Sequence, residues 1–418
     1  MTGLPYGLLD REACAALDAA DPLAPLRGRF LLDDGLIYLD GNSLGALPAS
    51  TPPRLAAVVT EEWGRGLIRS WTAAGWIDAP RRLGDKVAPL VGARPGEVVV
   101  ADSTSVNLFK LLGAAVQARP GRRVILSHEG NFPADLYVAQ GLCELLEGRC
   151  ELRTVPSAAL EAALDEQVAV LMVTHVDYAT GAVADMAGLC AAARHHGALC
   201  LWDLSHSTAA LPVDLGGCGA DLAVGCGYKY LNGGPGAPAF LYVAERLQGT
   251  LRSPLRGWMG HAEPFAFEPG HRQAPGVQGF LCGTPPILGM AALEAALDLW
   301  AEVDLDAVRA KSMRLGDLLV RLVDERCAGL GLALASPREA ARRGSQVALR
   351  HADGYRVVRA LVDRGVIGDF RAPDIVRLGL APLHLRHVDV WDAVETLREV
   401  LATGAHERPE YAVRAAVT

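Results

Sequence analysis

Lysine is scarce in this sequence. Only four of the 40 basic residues are lysines, namely Lys86, Lys110, Lys229 and Lys311. Arginine therefore supplies most of the positive surface charge, and a lysine inside an apolar strand and loop needs a specific reason. A lysine amine can lose its proton and attack a carbonyl carbon, which an arginine cannot do.

A basic patch is also missing. The net charge is −8 and the isoelectric point is near 5.8. The nearest approach to a basic cluster is the short stretch "HLRHVD" at 384–389. This charge pattern argues against a nucleic acid or an acidic membrane surface as partner.

Paired cysteines and long apolar runs are absent from the sequence. The nine cysteines include no C-x-x-C pair, and several lie in apolar runs such as "GALCLWD", so we expect buried thiols, no metal site and a reducing, cytoplasmic compartment. The first residues carry acids without a basic region before an apolar core, so a signal peptide is not expected. No run approaches the roughly 20 apolar residues that a membrane span needs.

Short apolar runs alternate with helical patterns from about residue 95 to 245. Examples of strands are "EVVVA", "RVILS", "VAVLMVTHV", "ALCLWD", "LAVGC" and "APAFLYV", and "TSVNLFKLLGAAVQA" has helical spacing. Strands that alternate with helices predict an α/β fold with a mostly parallel sheet covered on both faces. We expect an N-terminal segment (1–45) that packs on a small domain, a large domain (46–290) and a smaller α+β C-terminal domain (291–418).

Three stretches fall where predicted strands end, which is where open α/β sheets bind ligands. The first, "ADSTSVN" (101–107), passes from a strand into a helix. Serine and threonine at this position are usually helix caps, yet the same geometry offers N–H groups and hydroxyls to a phosphate.

The second stretch, "LWDLSHS" (201–207), places Asp203 at the end of an apolar strand. A buried carboxylate needs a cationic partner, and the protonated ring nitrogen of pyridoxal phosphate would be one. His206 is equally consistent with a turn residue bound to the backbone and with a group that orients Asp203.

The third stretch, "GCGYKYLNGGPGAP" (225–238), places Lys229 between two tyrosines, 26 residues after Asp203. Its apolar and glycine-rich surroundings are not typical of a solvent-exposed loop. Desolvation lowers the pKa of an ammonium group, and the neutral amine can form a Schiff base with an aldehyde. Together with the upstream Ser/Thr helix start, Asp203 and Lys229 indicate a pyridoxal phosphate site.

Seven blocks of sequence carry a more specific signal. They are "YLDGNSLGALP", "DSTSVNLFK", "NFPADLY", "WDLSHSTAALPVDL", "GCGYKYLNGGPGAPAFLYV", "GWMGH" and "FLCGTPPI", and the pattern continues in "FRAPDIVRLGLAPL". In this order they resemble the kynureninases. The resemblance implies a pyridoxal-phosphate-dependent enzyme of fold type I, class V subgroup, that hydrolyses L-kynurenine to anthranilate and L-alanine in tryptophan catabolism and NAD biosynthesis.

The resemblance also implies a role for each matching residue. Lys229 corresponds to the cofactor-binding lysine, Asp203 to the partner of the ring nitrogen, and Tyr228 to a cofactor contact and proton relay; these three are the expected catalytic residues. The other expected cofactor contacts are Thr104, Ser105, Phe132, Asp135, Thr174, His206, Trp258 and Thr284. Trp258 and Thr284 would reach the phosphate from the neighbouring subunit of a homodimer, and Arg377 would bind the substrate carboxylate.

Two alternatives remain at this point. A cysteine desulfurase would share the aspartate and the lysine, but it typically has a histidine where this chain has Tyr228, and it needs a reactive cysteine, for which Cys282 is the candidate. A silent homologue that binds the cofactor would be expected to lack Lys229 or Asp203. The sequence leaves open whether 3-hydroxykynurenine is also a substrate and what His128 and Asn131 do. It also leaves open whether Trp71 and Trp76 line the aryl pocket or belong to the core or an interface.

Overall fold

A computed structural model describes residues 10–414 of the chain. The described chain divides into two compact units. One unit contains residues 50–177 and 184–302; the other contains residues up to 49, residues 178–183 and residues from 303 onward. We call them the sheet unit and the terminal unit. The domain limits predicted from the sequence stay a prediction, and the first nine residues of the predicted N-terminal segment lie outside the described residues.

The secondary structure follows the alternation seen in the sequence. The strands are β1 (Ile37–Tyr38), β2 (Val98–Val100), β3 (Val124–His128), β4 (Glu151–Val155), β5 (Val168–Thr174), β6 (Leu199–Asp203), β7 (Leu222–Gly225), β8 (Phe240–Val243), β9 (Ala333–Leu334), β10 (Gln346–Arg350), β11 (Val366–Ile367), β12 (Asp369–Arg371) and β13 (Ile375–Gly379). The α-helices are α1 (Arg11–Ala19), α2 (Thr51–Ala57), α3 (Ser70–Ala73), α4 (Ala79–Val87), α5 (Thr104–Gln117), α6 (Pro133–Leu145), α7 (Met186–His195), α8 (Leu215–Cys218), α9 (Glu245–Gln248), α10 (Ile287–Trp300), α11 (Leu305–Arg326), α12 (Gly354–Val362) and α13 (His387–Ala402).

The sheet unit is built on a seven-stranded sheet of order β2-β8-β7-β6-β5-β3-β4. The pairs β3–β4, β3–β5, β5–β6 and β6–β7 are parallel, whereas β8 is antiparallel to both of its neighbours. The prediction of a mostly parallel α/β sheet is confirmed. Since β8 alone reverses direction, the carboxyl ends of β2, β3, β5, β6 and β7 meet at one edge.

The strands β5 and β6 lie in the middle of the sheet because their sequences are almost continuously apolar. Every residue of β5 and of β6 is buried, as expected for strands covered by helices on both faces. The core includes Leu111, Met172 and Leu201, all fully buried. Burial of one such side chain contributes about 1.5–3 kcal/mol, so this core fixes the strand ends to which the polar residues are attached.

The terminal unit joins the two ends of the described chain. Its four-stranded antiparallel sheet has the order β12-β13-β10-β9, and β1 pairs with β11 in parallel. Helices α1, α11, α12 and α13 share a hydrophobic core with these strands, to which Leu39, Leu319 and Val394 contribute. This architecture confirms the smaller α+β C-terminal domain.

Two further expectations concern the whole described chain. All nine cysteines are unpaired thiols, and six of them are buried. Among residues 10–414, no helix combines the length and the apolar character needed to cross a bilayer.

Candidate functional site

The polar residues predicted for the site lie at the shared edge of the seven-stranded sheet. Thr174 is the last residue of β5 and is paired in register with Asp203, the last residue of β6. Asn131 and Phe132 follow β3, and Lys229 follows β7. Open α/β sheets bind ligands beyond the carboxyl ends of their strands, and these residues lie there, as the sequence predicts.

Lys229 is buried and contacts three of the predicted residues. Its Nζ atom lies 2.8 Å from Nε2 of His206. It also lies 5.8 Å from the ring centroid of Phe132 and 5.9 Å from that of Tyr228. Only 9% of the lysine is accessible to solvent, so its amine faces a small set of polar and aromatic neighbours.

The loop that carries Lys229 depends on close backbone packing. A Cβ atom added to Gly227 would lie 2.4 Å from the carbonyl oxygen of Pro238, and one added to Gly233 would lie 2.7 Å from the carbonyl oxygen of Gly227. Both positions require glycine because any side chain would displace the backbone. The glycines thus hold the lysine against the sheet edge.

Two buried carboxylates, Asp203 and Asp135, share the site. Burial, followed by the charge of Asp203 and a hydrogen bond with it, raises the pKa of Asp135 well above its usual range. Thr174 donates to Asp135 at 3.5 Å, and the backbone N–H of Ser205 donates to Asp203 at 2.8 Å. Burial beside a second carboxylate therefore favours the protonated form of Asp135.

Asn131 had no role in the sequence, and the structure supplies one. Its amide oxygen accepts hydrogen bonds from the Thr174 hydroxyl and from the backbone N–H of Phe132, the latter at 2.8 Å. Its amide nitrogen donates at 3.0 Å to Ser127, which donates in turn to the carbonyl of Met172. Asn131 therefore ties the turn after β3 to β5. The sequence signal for this role was a polar residue, Asn131, directly before an aromatic one, Phe132, just after β3.

His128 lies at the same end of β3. It is the last residue of β3, and burial lowers its pKa. The imidazole is consequently neutral at neutral pH.

The start of α5 carries the predicted phosphate contacts, Thr104 and Ser105. Ser103 is the N-cap and accepts a hydrogen bond from Val106. Asp102 has a left-handed backbone with φ of 47°, and the Lys110 ammonium binds its carboxylate. The N-terminus of a 14-residue helix offers backbone N–H groups that can bind an anion.

Trp258 and Thr284 lie elsewhere in the sheet unit. Trp258 packs edge-on against Trp71 and Phe265, with ring centroids 6.4 and 5.6 Å apart, and Trp71 packs on Trp76 at 6.0 Å. Thr284 is exposed and lines a narrow cavity that Asp102 also lines. The described contacts of Trp71 and Trp76 are thus with other aromatic rings and, for Trp76, with Glu62 at 2.7 Å.

Arg377 belongs to the terminal unit, on β13, and is almost fully buried. Its Nε atom donates to Asp369 at 2.8 Å, its Nη2 atom donates to Ser43 at 2.8 Å, and its Nη1 atom donates to the carbonyl of Tyr178 at 2.6 Å. Burial opposes the ionisation of Asp369, but the hydrogen bond and charge of Arg377 outweigh it and lower the pKa of Asp369. Neither Asp369 nor Ser43 was predicted as a site residue. Ser43 lies in the block "YLDGNSLGALP", and Asp369 directly precedes the block "FRAPDIVRLGLAPL".

Asp40 lies near the same pair. Burial and the charge of Asp369 raise the pKa of Asp40 to about 7. One of its carboxylate oxygens is buried without a hydrogen-bond partner among the described residues. The terminal unit therefore contains a carboxyl group that titrates near neutral pH.

Known proteins resemble this chain over nearly its whole length. Kynureninase from Burkholderia pseudomallei (strain 1106a) is 55% identical over 413 residues, which are 98% of this chain and 99% of that protein. The chain belongs to the kynureninase family. Kynureninase from Pseudomonas fluorescens is 51% identical with the same coverage, and the model of the kynureninase C-terminal domain matches residues 308–397.

Solved structures outside the kynureninases share the fold. A C-DES mutant with glycine covalently linked to its PLP cofactor has a TM-score of 0.78 at 18% identity, covering 89% of this chain and 99% of that one. The cysteine desulfurase of Thermococcus onnurineus has a TM-score of 0.76 at 20% identity, covering 91% and 98%. At such identities the likeness concerns the fold alone, so it gives no support for desulfurase activity.

The donor set of the kynureninase-like site fits pyridoxal phosphate. The buried carboxylate of Asp203 suits a protonated ring nitrogen. Burial and then the charge of Asp203 raise the pKa of Asp135, and a bound cation would oppose this shift. The start of α5 suits a dianionic phosphate, and the buried amine of Lys229 suits an aldehyde.

Proposed function

We propose that this chain hydrolyses L-kynurenine to anthranilate and L-alanine with pyridoxal phosphate as cofactor. The single observation that carries the proposal is the buried amine of Lys229, 2.8 Å from His206, in a chain of the kynureninase family. The cofactor, when bound, accepts the electron pair released when a bond to the substrate's α-carbon breaks.

We assign the cofactor contacts to residues of the sheet unit. Lys229 would hold the aldehyde carbon, Asp203 the ring nitrogen, and Thr104 and Ser105 the phosphate. Phe132 would cover the ring, and Asp135, Thr174 and His206 would complete the polar surroundings. The register that pairs Thr174 with Asp203 supports a common site for these groups.

The reaction needs proton transfers that the chain's own residues supply. Water adds its oxygen to the carbonyl carbon of the side-chain ketone, and the Cβ–Cγ bond breaks. The carbonyl carbon leaves as the carboxylate of anthranilate, and Cβ takes up a proton to become the methyl group of alanine. Lys229 would move the α-proton, and Tyr228 would deliver a proton nearby. Burial raises the pKa of Tyr228, so its hydroxyl stays protonated and can donate; such a transfer contributes on the order of 10²–10⁴-fold.

Arg377 would bind the substrate's α-carboxylate. Asp369, Ser43 and the carbonyl of Tyr178 occupy four of its five N–H donors, which leaves one Nη1 N–H in a fixed direction for the carboxylate. We further propose a cytoplasmic homodimer, acting in tryptophan catabolism and NAD biosynthesis, in which Trp258 and Thr284 contact the cofactor phosphate of the partner.

The function is tested by adding L-kynurenine to purified, cofactor-loaded protein and measuring fluorescent anthranilate and alanine. We expect the two products in equal amounts. Lys229→Ala should abolish turnover and the visible absorbance of the loaded protein. Lys86→Ala, which removes a half-exposed lysine bound to Glu294 and Asp298, should change neither. Failure of the loaded wild-type protein to form anthranilate would refute the proposal.

The shared site is tested by mixing two inactive variants, Lys229→Ala and Trp258→Ala. If Trp258 serves the partner's site, half of the reassociated dimers contain one intact site, so about a quarter of wild-type activity should return. If Trp258 serves its own site, no mixed dimer contains an intact site and activity should not return.

A further inference from the structure

Three potential metal ligands meet in the terminal unit, apart from every residue assigned above. They are His351, Asp353 and His406, whose candidate ligand atoms all lie within 4.8 Å of one another. His351 directly follows β10, Asp353 directly precedes α12, and His406 lies in a short 3₁₀ turn after α13. The two imidazole rings are 5.5 Å apart and nearly perpendicular.

Backbone carbonyl groups fix the imidazole tautomers. Nδ1 of His406 donates to the carbonyl of Val400 at 3.3 Å, which leaves the lone pair on Nε2. His351 hydrogen-bonds the backbone of Leu330, while its Nδ1 accepts from the N–H of Asp353 at 3.0 Å. The lone pair of His351 is therefore on the nitrogen beside Asp353. Metal-binding histidines usually hold their other ring nitrogen in this way.

The carboxylate of Asp353 is available to complete the set. Asp353 is the N-cap residue of α12, yet its side chain makes no capping hydrogen bond. The neighbouring Arg350 binds Asp374, at 2.8 Å, instead. Asp353 is exposed, so its side chain can rotate toward the two imidazoles.

We propose that His351, Asp353 and His406 form a binding site for one divalent transition-metal ion of the zinc, cobalt or nickel type. Two imidazoles and one carboxylate match the donor preference of these ions, whereas magnesium and calcium prefer oxygen donors alone. Three protein ligands leave a position for water.

The geometry also sets the strength of the site. Ligand atoms about 2.1 Å from a tetrahedral metal stand about 3.4 Å apart, so the cluster must contract when it binds. The metal must also displace the hydrogen bond from the Asp353 N–H to His351. Both costs favour reversible, micromolar binding over a permanent structural site.

The experiment titrates Co²⁺ into the full-length, cofactor-loaded protein after treatment with a chelator. Bound metal is measured by equilibrium dialysis and by the visible absorption of coordinated Co²⁺. We expect one equivalent per chain, displaced by Zn²⁺ and not by Mg²⁺. His406→Gln and Asp353→Asn should each weaken binding at least about 10-fold. Kynurenine turnover without added metal should stay unchanged.

The chain offers a matched control in the sheet unit. His195 and His196 also form a perpendicular imidazole pair, with ring centroids 5.1 Å apart. His195→Gln should leave Co²⁺ binding within about twofold of wild type, because a single imidazole contributes little affinity without further ligands.

The outcomes decide the proposal. Binding below half an equivalent at about 1 mM Co²⁺ would overturn it, since even the weakest protein metal sites reach this range. Binding that His195→Gln weakens as much as His406→Gln would overturn it too. Because His406 is buried and its variant could unfold, Asp353→Asn at the exposed position provides the second test: a folded Asp353→Asn protein with wild-type affinity rules out the assigned site.

Discussion

The Nζ atom of Lys229 lies 2.8 Å from Nε2 of His206, and both residues are buried. The two nitrogen atoms are within hydrogen-bond distance, and the tautomer of His206 decides which of them donates. His206 thus contacts the lysine, which is a role that neither interpretation of His206 from the sequence had named.

Replacing His206 tests whether this contact positions the lysine. In His206→Ala the lysine loses its neighbour at 2.8 Å, so we expect kcat to fall about 10- to 100-fold while KM for kynurenine changes little. The pH dependence of the cofactor absorbance should also shift, which a purely structural role would not cause. His195→Ala, at the exposed end of α7, is the control. An unchanged pH profile with unchanged kcat would contradict the role.

The two buried carboxylates should respond differently to amide replacement. Burial and the charge of Asp203 raise the pKa of Asp135 and favour its neutral form. Asp135→Asn replaces one neutral group with another, so we expect kcat/KM within about 10-fold of wild type. Asp203→Asn removes the charge that would face the ring nitrogen, and we expect a loss of at least about 100-fold. Steady-state kinetics of both variants measures the difference; equal losses would contradict the different roles proposed for the two carboxyl groups.

The buried ion pair of Arg377 and Asp369 should contribute more to the free energy of unfolding than an exposed ion pair does. Asp369→Asn leaves an uncompensated buried guanidinium, so we expect the free energy of unfolding to fall by about 3–5 kcal/mol. The matched control is Asp374→Asn, which breaks the exposed pair with Arg350 and should cost at most about 1 kcal/mol. Urea denaturation followed by circular dichroism compares them. Similar costs for both variants would refute the prediction.

Asp40 should make stability depend on pH. Its pKa is about 7 in the folded chain against an ordinary value of 3.8. Between these values the folded chain retains a proton that the unfolded chain releases, so the free energy of unfolding falls as pH rises from about 4 to 7 and is level above. Asp40→Asn lacks this ionisation and should be more stable than wild type at pH 8.

The measurement for Asp40 is the difference between the two proteins across pH. The stability advantage of Asp40→Asn should grow from pH 5 to pH 7 and reach on the order of a few kcal/mol. Taking the difference removes the contribution of the other titrating groups. A difference that stays constant with pH would show that Asp40 ionises normally.

Much of the sheet unit could be predicted from the sequence. The runs that form β5 and β6 are continuous and apolar, and this pattern is typical of central parallel strands. Since such strands end at one edge, the proximity of Asp203 to the loop of Lys229 followed from topology alone. Distances within the site, such as that between Lys229 and His206, could not be predicted from topology.

The remaining features depend on contacts between distant parts of the chain. Asp369 could not be assigned to Arg377 before the register of β12 and β13 was known, and Ser43 reaches the same arginine from 334 residues away. The raised pKa of Asp135 depends on burial, which no local sequence pattern reports. His406 meets His351 only because the last turns of the chain return to α12.

The terminal unit is assembled from the two ends of the described chain, since β1 pairs with β11 and α1 shares a core with α13. During synthesis the ribosome releases residues 10–49 first, and their partners emerge only after roughly 300 further residues, which at about 5–20 residues per second takes tens of seconds. Throughout this interval the nascent amino-terminal segment has no strand or helix of its own unit to pair with, and it is open to chaperones and proteases. Truncation that removes β11 or α13 would therefore leave β1 and α1 exposed as well.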